Sequence, residues 1–126
     1  MNDLHLVAPG TAEPRMDTTA RFEAGLRNAT ERHGDADLCV FAGDIADQAE
    51  PDAYQMFDRM RAGFPVPQFV TLGNHDDRNV YLACTQDAET DPNGYAQWRR
   101  DIKGHCVLVL DSSEPGEERG GFPPLK

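Results

Sequence analysis

Three polar clusters in this 126-residue chain carry side chains able to do chemistry: Asp3-Leu4-His5, Gly43-Asp44-Ile45-Ala46-Asp47 and Gly73-Asn74-His75-Asp76. Their carboxylates, imidazoles and amide suit divalent cations that take mixed nitrogen and oxygen ligands, such as Mn, Fe, Zn or Co, and do not suit thiolate chemistry. Two carboxylates, two imidazoles and an amide suffice to begin a two-metal site, although they cannot saturate one. Each cluster also has a plainer reading. An Asp after a buried strand often caps a helix, and Gly-Asn is a common turn, yet a turn has no need of His75 followed by Asp76. The weight lies in their joint occurrence, in order, at the ends of apolar runs or their remnants.

Those runs supply the positioning elements. Leu38 to Ala42 and Gln68 to Leu72 are short runs, largely apolar, of strand length, the pattern of parallel strands covered on both faces. A remnant strand is expected before Asp3. Between them, Asp17 to Arg32 reads as a helix, with Asp17 as cap, Phe22, Leu26 and Ala29 on one face, and Gly34 as stop. A second helix begins near Pro51, with Ala53, Met56, Phe57, Met60 and Phe64 as its apolar stripe and Gly63 and Pro65 closing it. The order strand, helix, strand, helix, strand predicts a parallel βαβαβ arrangement. In an open parallel sheet the carboxyl ends of the strands form the ligand-binding edge, so all three clusters converge there. Val80 to Gly104 carries mixed signals around a turn at Asp91-Pro92-Asn93-Gly94. Cys106 to Leu110 reads as another strand and Glu114 to Gly121 as loop. His33 and His105 are read as surface residues, and Cys39 and Cys106 as small core hydrophobes.

Composition narrows the function further. The chain has 12 basic and 22 acidic residues, a net charge of −10, and its basic residues are scattered, which argues against a nucleic-acid polymer or an anionic membrane as partner. A small phosphate-bearing substrate stays open if cations reverse the local charge. Leu, Ile, Val and Phe together make up only about 19% of the residues, low for a core builder. No long apolar stretch or basic leader marks insertion or export. Three widely spaced cysteines suggest neither a disulfide framework nor a zinc ribbon, so a reducing cytoplasm fits best.

The ordered blocks resemble those of the calcineurin-like metallophosphoesterases: D-x-H, G-D-x-x-D, G-N-H-D/E, then a histidine and G-H-x-H. The similarity is greatest to the class III cyclic nucleotide phosphodiesterases, because Gly73 to Arg78 reads G-N-H-D-D-R and Leu110 to Gly116 reads L-D-S-S-E-P-G. The resemblance runs from Asp3 to Gly121 and implies an α/β/α sandwich with two divalent metal ions. It implies that Asp3 and His5 ligate the first metal, that Asp44 bridges both and that Asn74 ligates the second. His75 would contact the phosphate and orient or protonate the leaving oxygen while Asp76 holds its imidazole; Asp47 would stabilise its loop and not ligate. Arg78 reads either as a phosphate or nucleotide contact or as a surface charge. The implied substrate is a small phosphodiester, of cyclic nucleotide or glycerophosphodiester type, and the implied activity is hydrolysis by water activated between the two metals.

The sequence also departs from the family pattern. Nothing after His75 resembles the family's later histidine or G-H-x-H, since His105 precedes the strand that the family places before those blocks; the strand before Asp3 is missing, and Asn2 stands where Ser is usual. Residues 1–126 therefore read as the N-terminal part of a single domain, a partial α/β/α sandwich (a βαβαβ half) truncated at both ends, with a homo-oligomer left open for the full-length protein. These 126 residues alone are expected to be nearly inactive and marginally folded. The alternative is an inactive half-domain that binds a divalent cation weakly through Asp3, His5, Asp44 and Asn74.

Overall fold

The computed structural model describes residues 1–10, 16–85 and 87–114. Of the loop expected from Glu114 to Gly121, all but Glu114 lies outside the described residues. Helix α1 (Thr18–His33) begins where the Asp17 carboxylate accepts the Ala20 N–H at 2.8 Å and ends at Gly34. This satisfies one of the N–H groups that every helix start leaves open. Strand β1 (Cys39–Ala42) leads to helix α2 (Pro51–Arg61), and strand β2 (Gln68–Thr71) pairs with β1 in parallel, Phe41 opposite Val70. The N-terminal segment adds itself beside β1 through parallel bridges, Asn2 to Ala42 and Leu6 to Ala46. Of the parallel β-α-β-α-β order expected from the sequence, the β1-α2-β2 unit is present, and the expected first strand is reduced to these two bridges.

The core explains why these elements pack. Phe22 of α1, Phe41 of β1 and Phe57 of α2 meet with ring centroids 5.1 to 5.9 Å apart, joined by Leu6, Ile45 and Tyr54, each fully buried. A side chain of this size contributes roughly 1.5–3 kcal/mol on burial. Helix α2 stops at Arg61, short of the stripe read to Phe64. Phe64 still reaches the core, 8% exposed, from the turn beyond. In its place on the helix, Arg61 is buried by pairing with Asp58 at 2.6 Å and Asp87 at 2.8 Å.

The segment with mixed signals folds as helix α3 (Arg78–Cys84), the Asp91–Gly94 turn and strand β3 (Trp98–Ile102). Strand β4 (His105–Val109) pairs antiparallel with β3 in a separate two-stranded sheet. Trp98 docks this hairpin on β2, donating Nε1–H to the Val70 carbonyl at 3.1 Å and lying 4.8 Å from the Phe69 ring. Cys106 is exposed, contrary to its expected place in the core. The strand's two-residue period puts it on the side of Leu108 and Leu110, 61% and 55% exposed, while Val107 and Val109 turn inward.

Candidate metal centre

The three clusters meet at the carboxyl edge of the parallel strands. The Asp3 N–H donates to the Gly43 carbonyl (3.2 Å), His5 N–H to Asp44 (2.8 Å) and Leu6 N–H to Ile45 (2.9 Å), which fastens the first cluster along the second. Asp3, His5 and Asp44 all adopt left-handed backbone conformations, with φ of 52°, 45° and 49°. Asp and His are among the few side chains that accept this region. The second and third clusters touch through glycines. A Cβ on Gly43 would lie 3.0 Å from the Gly73 backbone, and one on Gly73 would collide with the Asp44 carboxylate.

This packing gathers donors. One oxygen each from Asp3 and Asp44 and one nitrogen from His5 lie within 4.8 Å of one another, and His5, Asp47 and His75 form a second such group. His5 Nε2 faces Asp44 Oδ2 at 3.8 Å while its Nδ1 meets Asp47 Oδ1 at 3.0 Å. With the proton on Nδ1, the Nε2 lone pair is free on the side of Asp44, as a metal-ligating histidine requires. The Asp44 carboxylate, 13% exposed, also accepts the His75 N–H at 3.0 Å. Two carboxylates and an imidazole so placed fit a divalent cation of mixed nitrogen and oxygen preference. Asn74 stands exposed on the same turn.

His75 packs its ring edge-on to His5, centroids 4.6 Å apart. Its Nδ1 contacts the Asp47 carbonyl at 2.8 Å. That carbonyl bond, with the nearby charges of Asp44, Asp47 and Asp76, raises the imidazole's pKa against a smaller effect of burial. The imidazole is thus held by Asp47, and the expected grip of Asp76 on it is replaced by another arrangement. Asp76 is buried and turns inward: its carboxylate accepts N–H bonds from Ile45 (3.1 Å), Ala46 (3.1 Å) and Gly73 (2.9 Å) and the Tyr54 hydroxyl (3.1 Å). Burial raises its pKa, opposed by these donors. Asp47 turns out to serve both histidines, by carboxylate and by carbonyl.

Arg78 is committed elsewhere. Its Nε donates to Asp111 Oδ2 at 2.5 Å and its Nη2 to Asp111 Oδ1 at 3.0 Å and to the Ser113 carbonyl at 2.6 Å, with the guanidinium over the Tyr95 ring. Burial pushes the Asp111 carboxyl upward, but bonds from Arg78, Ser113 and Ala96 outweigh it and hold its pKa at about 2. Tyr54 was not legible as a site residue. Its signal was a tyrosine on the buried face of α2, whose hydroxyl must find a partner.

Fold and donors together define a mixed α/β protein with a candidate divalent-metal centre at the carboxyl edge of its parallel strands. Residues 1–121 match the calcineurin-like phosphoesterase family, Metallophos, and the chain belongs to it. It is 33% identical over 128 residues to a probable cyclic nucleotide phosphodiesterase of Rhodococcus erythropolis, covering 95% of this chain and 41% of the relative. It is 28% identical over 121 residues to the 3',5'-cyclic adenosine monophosphate phosphodiesterase CpdA of Pseudomonas aeruginosa, with 95% and 43% covered. The CpdA of Escherichia coli K12 is 30% identical over 125 residues, again with 95% and 43% covered. The chain thus spans less than half the length of these relatives. No helix among the described residues is long and apolar enough to cross a membrane.

Proposed function

We propose that this chain carries the metal-binding part of a phosphodiesterase that hydrolyses small phosphodiesters of cyclic nucleotide or glycerophosphodiester type. The observation that carries the reading is the convergence of Asp3, His5 and Asp44, with donor atoms within 4.8 Å of one another, against the turn that bears His75. Asp3, His5 and Asp44 would hold one divalent cation, and Asp44 and Asn74 would contribute to a second. When bound, such cations polarise phosphoryl oxygens and activate water for in-line attack. The chain's own residues do the rest. His75, held at Nδ1, presents Nε2 as the atom that passes a proton to the leaving oxygen. Asp47 orients His5 and His75 together, and Asp76 fixes the turns on which Asp44 and His75 sit. The relatives named cyclic nucleotide phosphodiesterases support this substrate class. The cysteines stand free, which supports a reducing compartment such as the cytoplasm.

A second reading, binding of a divalent cation without turnover, is favoured by the small donor set. One experiment separates them. The purified chain is assayed with 3',5'-cyclic AMP and a chromogenic phosphodiester in the presence of Mn²⁺, while Mn²⁺ affinity is measured by electron paramagnetic resonance. Metal-dependent turnover that EDTA removes supports hydrolysis; Mn²⁺ binding without turnover supports the second reading; neither result overturns both.

A further inference from the structure

We infer that Tyr54 is a positioning residue for the metal centre, acting through Asp76 to hold the turn of Asp44 and the turn of Asn74 and His75 at one fixed separation. The inference rests on the metal-centre reading above and adds to it a residue that belongs to none of the three clusters. The Asp76 carboxylate is bound from both turns: Ile45 and Ala46 donate to it from the second cluster and Gly73 from the third. Such a hub sets the distance between the turns only if the carboxylate cannot rotate. Tyr54 supplies the restraint. Its hydroxyl donates to Asp76 Oδ1 at 3.1 Å and accepts the Asp77 N–H at 3.1 Å, so it holds the carboxylate and the residue after it.

The restraint is anchored in a rigid element. Tyr54 lies in the first turns of α2, is fully buried, and meets the Tyr81 ring of α3 edge-on at 5.5 Å. A buried hydroxyl needs a partner, and many backbone carbonyls would serve. Here the partner is the carboxylate that ties two ligand-bearing turns together, and the turns gain a reference point in a helix that carries none of the candidate ligands. Sites supported in this way by a packed element hold their geometry more closely than sites on loops alone.

The test is Tyr54→Phe, which keeps the ring and removes one oxygen, beside Tyr81→Phe, which removes a hydroxyl from the same aromatic pair and leaves the bonds to Asp76 intact. Mn²⁺ affinity is measured by electron paramagnetic resonance and stability by thermal melt. The expected result is an affinity about tenfold weaker in Tyr54→Phe, within the range for a residue supporting a metal ligand, and unchanged in Tyr81→Phe. Equal affinities in Tyr54→Phe and the unsubstituted chain overturn the inference and leave the metal centre standing. Failure of the unsubstituted chain to bind Mn²⁺ overturns both. Should Tyr54→Phe lose its cooperative melt, the unsubstituted chain carries the test. Zn²⁺ is expected to shift the Tyr54 ring resonances and slow amide exchange at Ile45, Ala46 and Gly73 with no change in mid-α1, and absence of that response overturns the inference.

Discussion

Arg78 grips the carboxylate of Asp111, whose side chain is wholly buried, with two nitrogens at 2.5 and 3.0 Å, and so ties the end of β4 to the residue that opens α3. The pair predicts an acid-sensitive contribution to stability. The folded Asp111 pKa, about 2, lies below the ordinary aspartate value of 3.8, so its stabilisation is complete above about pH 4 and lost as pH falls toward 2. The amount is on the order of 1–2 kcal/mol after allowance for screening by solvent. Urea melts between pH 5 and pH 2.5 check this: Asp111→Asn should flatten that part of the profile. Asp76, raised by burial, has the opposite sign and partly offsets the slope. Arg78→Ala should cost more than Asp111→Asn, about 3–5 kcal/mol, because it leaves a buried charge alone.

Gly73→Ala should damage the metal centre although it alters no donor. Its Cβ would push on the Asp44 carboxylate and backbone nitrogen, a misfit costing about 1–3 kcal/mol. Gly63→Ala meets nothing within 4 Å and should be neutral or mildly stabilising. Thermal melts and Mn²⁺ titrations on both variants make the comparison. Unchanged metal affinity in Gly73→Ala would contradict the close approach of the two turns.

Asp44→Asn and His75→Ala should separate binding from chemistry. The first removes a charged donor from the group of Asp3, His5 and Asp44 and should weaken Mn²⁺ binding by roughly 10-fold or more. The second removes no member of that group and should leave its affinity nearly unchanged. Where turnover is measurable, His75→Ala should lower it by about 10²- to 10⁴-fold, the range for a general acid. Equal loss of metal in the two variants would refute the assigned roles.

Asp47→Ala should act on His5 more than on His75. The His5 Nδ1 contact is to the carboxylate that the substitution deletes, whereas the His75 Nδ1 contact is to the backbone carbonyl that it keeps. Imidazole nitrogen shifts in an NMR spectrum should move most at His5 and less at His75, which loses only the nearby Asp47 charge, with Mn²⁺ affinity lowered about 10- to 100-fold. A larger change at His75 would reverse the assignment.

Much of this was legible in the residues. The capped helix from Asp17, the parallel runs before Gly43 and Gly73 and the meeting of the three clusters all follow from local rules that the core enforces. The later part was harder to read. Helix α3 is only seven residues, too short for a period to declare itself, and β3 mixes Arg99, Arg100 and Asp101 with Trp98 and Ile102 because one side of the hairpin faces solvent. Within the site, Asp76 was legible as part of the third turn, but the resemblance implied a grip on His75 where its carboxylate turns inward. Which way a carboxylate points is decided by the donors that fold around it, here Ile45 and Ala46, some thirty residues away in the chain.

The left-handed backbone of Asp3, His5 and Asp44 sets durability against purpose. Each of these residues sits where glycine rests without cost and an L side chain is strained by roughly 1–2 kcal/mol. Replacing any one of them with glycine relaxes the chain and deletes a donor in the same stroke. Selection for stability alone would favour glycine at these three positions as much as at the equally left-handed Ala49 and Lys103, and under the proposed metal-centre reading the strain at the three is retained for the donors they carry.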